Sequence, residues 1–393
     1  MSLPPPPDSF GQQPRTGGGG QPGRGAPEPW PPRSGSPTGP PPSGPPPWGP
    51  HQQWAGGPPH DGGGGNAKWI LGGLAVTLAI ALAVVITVLV VRPDGGGNDH
   101  QHNTASGASE FASGNDTGPA NIIAEDPTCE AWGKISHRLD EEVPEWNKQD
   151  YLVPKEEWST EQRTVFEKTG AALKGAVANA TNLAKQTPHR VMRELYGQYI
   201  AYSQAVIDAI PTYSSTDNQI VAASNRLFSS LNRVCDAIYF RAAQQTAPLV
   251  ASPSPPSDTK APTGDGKSPP ERFLTNADSI CDDWAATIER FEQNSDAQAW
   301  GALDPKVRAS EWNPEHKAIM DAVVPVLNGY ADDTERLGRQ SGNPVWEDFA
   351  VFAAQYMRAY VQAIPTYTPN SAYMSVVATT VVNAINWACK AAS

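Results

Sequence analysis

The pentapeptide Ala-Ile-Pro-Thr-Tyr stands at 209–213 and again, unchanged, at 363–367. The same register, the distance from Trp146 to Trp300, also brings Trp158 onto Trp312, Leu183 onto Leu337, Tyr202 onto Tyr356 and Cys235 onto Cys389. Upstream, Cys-x-x-Trp at 129–132 matches Cys-x-x-Trp at 281–284 after a two-residue adjustment. So many matches in one register mean duplication, and an internal repeat fixes the architecture before any local reading does.

Each copy reads as helix. In the first, apolar residues fall at Trp132, Ile135, Leu139, Val143 and Trp146, then Val165, Leu173, Val177 and Leu183. They continue at Val191, Leu195, Tyr199, Tyr202 and Val206, and at Ile220, Ala223, Leu227, Leu231 and Val234. These spacings of three and four are the helical period. Ser159 with Gln162 predicts a capping box for the second helix, and Asn313-Pro314 predicts a cap and first-turn pair at the matching place. Pro211 and Pro365 stop the third helix, because proline disfavours helical geometry in the residue before it. Thr216 or Asp217, and Asn370 or Ser371, are the expected caps of the fourth.

Four helices per copy point to an up-down-up-down bundle. Cys129 opens the first helix and Cys235 closes the fourth, ends that lie side by side when those helices are neighbours. The expected bonds are Cys129–Cys235 and Cys281–Cys389. All four cysteines follow residue 128, and an even set confined to one part of a chain fits an oxidising compartment.

Outside the repeats, proline and glycine crowd into 1–67, about 93–120, and 247–272, stretches too poor in apolar surface to fold. Trp69 to Val91 is 23 residues without a charge, long enough for a spanning helix. Arg15, Arg24, Arg33 and Lys68 precede it, and after Arg92 no Lys or Arg occurs until Lys134, so the N-terminus is expected in the cytoplasm. The expected organisation is therefore a disordered cytoplasmic tail at 1–67, a transmembrane helix at 68–92, and a disordered extracytoplasmic linker at 93–125. Helical repeat domains follow at 126–246 and 273–393, joined by a Pro/Ser/Gly linker at 247–272 that should act as a flexible tether with few contacts crossing it. The fold class expected is all-α, with one spanning helix in the plasma membrane and two tandem four-helix bundles.

The net charge is −12, and the segment 273–393 alone carries about −7. Nothing here supplies the basic face that nucleic acid requires. His51, His60, His100 and His102 fall in the Pro/Gly-rich stretches. His137, His189 and His316 have no histidine counterpart in the other copy, so no histidine site is shared. G-x-S-x-G, P-loop and H-E-x-x-H motifs are missing. Asp140-Glu141-Glu142 and Asp332-Asp333 read as solvated helix faces, although a glycosidase-type carboxylate pair is not ruled out by spacing. No cofactor, metal ligand set or catalytic residue is expected.

The aromatic set carries the interest. Trp132, Trp146 and Trp158 recur as Trp284, Trp300 and Trp312. Large rings at helical spacing are mostly core. The competing reading is a ligand groove lined by Trp146, Trp158, Trp300 and Trp312 beside the irregular connection that holds Pro154. Tyr213 and Tyr367, ending the shared pentapeptide, are expected to pin the helix turn. The tail offers polyproline at 4–7 and 40–47, which suits either a cytoplasmic partner with aromatic grooves or an inert spacer.

With the PPPSGPPPWGP stretch, the apolar run at 69–91 and the Cys-x-x-Trp … Ala-Ile-Pro-Thr-Tyr … Cys repeat, the chain resembles the proline-rich conserved membrane proteins of actinobacteria, mycobacteria in particular. That resemblance implies a cytoplasmic tail, one spanning helix and an outer domain, and brings no activity with it. The reading that follows is a non-catalytic membrane-anchored envelope adaptor or sensor with a protein partner outside the membrane. The alternatives are a carrier of lipid or cell-wall fragments and, less favoured, an envelope hydrolase.

Overall fold

The computed structural model describes residues 110–258 and 269–393, and among them the only regular structure is helical. The first copy contributes α1 (Cys129–Glu142), α2 (Thr160–Gln186), α3 (Arg190–Ala209) and α4 (Asn218–Tyr239), followed by the short α5 (Ala242–Thr246). The second contributes α6 (Ile280–Gln293), the short α7 (Ser295–Gly301), α8 (Pro314–Gln340), α9 (Pro344–Ala363) and α10 (Ala372–Ala392). Helices α2 and α8 have 27 residues each, and α3 and α9 have 20 each, so the register seen in sequence is the register of the structure. The two-residue adjustment lies where α7 replaces the single 3-10 turn Trp146–Lys148.

Local chemistry sets these boundaries. Ser159 Oγ accepts from Gln162 N at 3.1 Å, and Asn313 Oδ1 accepts from His316 N at 2.7 Å. The Gln162 amide turns away to the carbonyl of Asp150 at 3.1 Å, so only half of the expected capping box forms. Asp217 and Ser371, each one of the two expected caps, stand at the N-cap positions of α4 and α10, though without a side-chain bond to the helix there. Ser214 with Asp217 and Thr368 with Ser371 form capping boxes around one 3-10 turn, and these pairs occupy equivalent positions in the two copies. The extra turn supplies the partner that Thr216 and Asn370 were expected to supply.

In each copy the first helix packs on the second and the fourth. That neighbourhood brings the cysteines together, with Cα–Cα distances of 5.3 Å for Cys129–Cys235 and 5.6 Å for Cys281–Cys389. Cross-links closing loops of this length stabilise by roughly 4–5 kcal/mol in the chain-entropy model.

The expected membrane topology does not stand. No helix among the described residues is long and apolar enough to cross a membrane. The most apolar helices, α9 and α10, bury their faces against protein, and α9 carries Glu347, Asp348 and Arg358. The run 69–91 lies outside the described residues, as do the tail at 1–67 and the linker up to residue 109. The fold of the described residues is all-α with two disulfides, and it contains no membrane-spanning helix.

The expectation of a free tether also fails. The two copies pack along α4 and α10, with α3 against α9. Phe240 stacks on Tyr373 at 4.8 Å, and Asn370 Nδ2 donates to the carbonyl of Phe240 at 3.2 Å. The linker is held at both described ends. Arg339 Nη2 donates to the carbonyl of Ser254 at 3.0 Å, and Ser257 N donates to Glu347 Oε1 at 3.1 Å. Further on, Gln198 takes Phe273 N on its Oε1 at 2.9 Å and gives its Nε2 to the carbonyl of Glu271 at 3.1 Å. A Pro/Ser-rich composition predicts low intrinsic order, but backbone groups can still be fixed by side chains from a folded neighbour.

Candidate functional site

The four tryptophans proposed for a groove serve the bundle interior. Trp146 and Trp158 are buried in one aromatic cluster with Phe166 and Tyr213. Trp158 lies 4.1 Å from Phe166 and 5.4 Å from Tyr213, measured between ring centroids. Trp300 and Trp312 are partly buried against the main core. Each indole N–H has a protein partner: Trp146 donates to Asn225 at 3.3 Å and Trp300 to Tyr360 at 2.7 Å. Trp158 donates to the carbonyl of Val153 and Trp312 to that of Val307, both at 2.9 Å.

The shared pentapeptide explains the pattern. Tyr213 OH donates to the carbonyl of Tyr151 at 2.8 Å, and Tyr367 OH donates to that of Pro305 at 2.7 Å. In return Lys155 N donates to Tyr213 O and Ala309 N to Tyr367 O, both at 2.9 Å. The tyrosine thus ties the irregular connection to the turn after the third helix, and the tryptophan closes over it. Burial raises both phenols above their ordinary range.

The histidines are distributed rather than clustered. His189 Nε2 meets the carbonyl of Glu125 at 2.9 Å, His137 lies 3.7 Å from Glu141, and His316 stacks on Trp312 at 4.9 Å. The other four lie outside the described residues. Asp332 pairs with Arg358 at 2.7 Å, and Asp333 pairs with Arg336 at 2.8 Å. Among the described residues no group of three or more metal-ligating side chains comes together.

The densest concentration of buried charge sits where sequence reading did not place it, at the seam between α3 and α9. Arg190 reaches across to Asp348, with Nε 2.6 Å from Oδ2 and Nη2 2.8 Å from Oδ1. Its Nη1 donates to the carbonyls of Asp116 at 2.9 Å and Gly118 at 2.8 Å. Arg193 Nη2 lies 3.6 Å from Glu194, a largely buried carboxyl that also feels the charge of Asp348. Burial first, and then the Asp348 carboxylate, push Glu194 well above the usual carboxylate range, against the pull of Arg193 and Arg190. Glu194 and Asp348 are equivalent positions of the two copies. The same side of the same helix thus meets itself, as in a two-fold contact.

The segments that lead into each copy complete the seam. Tyr356 OH, on α9 of the second copy, donates to the carbonyl of Ile123 ahead of the first, at 3.4 Å. Phe273, ahead of the second, packs against Tyr202 on α3 of the first, the position equivalent to Tyr356. Each arm touches the other copy while also holding to its own, Arg190 N donating to Asp116 and Asn343 Nδ2 donating to the carbonyl of Phe273. Lys185 pairs with Glu110 at the start of the first arm, and Asp126 receives the hydroxyls of Thr128, at 2.5 Å, and Thr187.

A duplicated, disulfide-closed helical bundle whose leading arms bridge the two copies is the class of protein this fold defines. Residues 111–393 match the family model described as mycobacterial ESX-1 associated protein, and the chain belongs to that family. It is 36% identical over 344 residues to an uncharacterised protein of Mycolicibacterium smegmatis (strain MKD8), covering 86% of this chain and 90% of that one. No solved structure matches it. The mycobacterial character expected from the sequence is therefore shown, and neither comparison speaks to a proline-rich membrane type.

Proposed function

We propose that the doubled bundle is a non-catalytic adaptor that binds a protein partner in the ESX-1-associated setting its family name states. The observation that supports this most is the seam. Buried Arg190, Glu194 and Asp348 meet across the seam, where Arg190 and Asp348 hold one copy against the other. Groups spent on joining two halves suit a body that presents surfaces in fixed register, which is what a binding protein needs. The tryptophans support the same reading, since their rings fill the ends of the bundles.

The test is capture in intact mycobacterial cells with a photo-cross-linking amino acid placed at Leu152 or Leu249, both more than half exposed. A discrete protein adduct at either position, identified as an ESX-1 protein, is the expected result. Adducts with lipid or glycan alone would replace the adaptor with a carrier.

A further inference from the structure

The two copies share a register but not an interior. The buried hydroxyl-bearing residues of the first copy include Ser136 on α1, Thr169 on α2, Tyr199 and Ser203 on α3, and Ser224 on α4. Their equivalents in the second copy are Ile288, Val323, Ala353, Met357 and Ala378, also buried and all apolar. The hydroxyls of Ser203 and Ser224 bond to each other at 2.9 Å. The hydroxyl oxygens of Thr169 and Tyr199 are both buried without a hydrogen-bond partner.

This band divides the core. In the second copy the apolar interior runs unbroken from the Cys281–Cys389 end to Tyr367, and it continues across the seam into the first copy as far as Tyr202, Ala223 and Leu227. There it stops. Trp146, Trp158, Phe166, Val206, Tyr213 and Val221 belong to a separate cluster beyond the band. Ser136, Ser203 and Ser224 mark the break. Cooperativity in a bundle is carried by continuous close packing, and buried hydroxyls in place of methylenes surrender apolar burial while demanding partners of their own. Stability need not then be uniform along the bundle, because units with little apolar connection open on their own.

We infer that the aromatic end of the first copy is a separately opening unit, able to expose Trp146, Trp158 and Phe166 while the rest of the molecule stays folded. The Cys129–Cys235 bond lies on the other side of the band, within the main core, so the copy remains closed at its base when the end opens. The second copy lacks this freedom, because its own aromatic end is continuous with the main core. An apolar surface revealed in one copy alone gives the doubled protein a distinct working end.

Native-state hydrogen exchange on the full chain, resolved by mass spectrometry, tests this. Amides at 163–173 and 204–213 should exchange roughly tenfold faster or more than their equivalents at 317–327 and 358–367, under conditions where α8 and α10 stay protected. Equal protection of the two ends would overturn the inference. Installing the second copy's residues, Ser203→Met with Ser224→Ala, should narrow the difference, and an unchanged difference would also count against it. Should that variant fail to fold, the reciprocal change Met357→Ser with Ala378→Ser must loosen the far end of the second copy. If that end keeps its protection, the band is not what uncouples the first.

Discussion

Arg190 of the first copy holds Asp348 of the second through two hydrogen bonds of 2.6 and 2.8 Å, with side chains only 4% and 2% exposed. Because neither group can turn to water, removing one leaves the other charged and buried. Arg190→Ala or Asp348→Ala should each destabilise by roughly 3–5 kcal/mol, read from urea unfolding. Replacing both together by Met and Leu should recover much of that loss. A double variant as unstable as the sum of the singles would show that the seam does not depend on this pair.

The bridging arms predict that the copies do not fold apart. A chain begun at residue 129 lacks the segment that takes Tyr356 and Arg190, and one ended at 246 lacks Phe273 and all of α10. Calorimetry of the 110–393 chain should show one principal transition, with each isolated copy melting at least about 10 °C lower. Two well-separated transitions, matching those of the isolated copies, would mean that the seam contributes little.

Gly338 lies where α8 runs close against α9. A Cβ built there would lie 2.2 Å from Ala350 Cβ, nearer than two carbons can come. Gly338→Ala should cost about 1–3 kcal/mol through forced separation of the helices. Adding Ala350→Gly should restore much of it. The first copy has Ala184 at the equivalent position and needs no such gap.

Glu194 supplies a pH signature. Its folded-state pKa is raised by burial and by Asp348, with Arg190, Arg193 and Asp116 the other charges around it. A raised acid stabilises the fold fully below its unfolded value, 4.5, and progressively less as pH climbs toward the folded value. Glutamine imitates the protonated form at every pH. Glu194→Gln should therefore unfold at a higher temperature than the parent at neutral pH, with the gap closing as pH falls below 4.5. A gap that widens on acidification would show that the ionised carboxylate is the favoured form.

Much of one copy could be read directly from sequence, because the features that build it are local or repeated. The period of the apolar residues places the helices, Ser159 and Asn313 mark their starts, and the cysteine positions give the pairing. What joins the copies was harder to see. Its one strong signal was α10, where Lys390 is the single charge in 21 residues. A helix apolar on every side has to be covered on every side, and one bundle cannot do that. Arg190 and Asp348 stayed hidden because they look like surface residues until the partner helix is known. The tryptophan question could not be settled from spacing, since a ring that lines a groove and a ring that closes a core obey the same period. The difference lies in Val153 and Val307, whose carbonyls take the indole protons.

The two-fold-like seam has an evolutionary reading. Two identical chains meeting as these copies do would form a symmetric dimer, in which every residue at the axis must face its own twin. Glu194 opposite Asp348 preserves that arrangement, an acid against an acid. Arg190, whose equivalent is Pro344, breaks it by neutralising the pair from one side only. Fusion into one polypeptide makes such a solution available, because a substitution then appears once instead of twice. Partnership also ceases to depend on concentration. Each half is then free to diverge while the other keeps the assembly standing, and the hydroxyl-lined interior of the first copy is a change that an obligate symmetric dimer would have had to suffer in both.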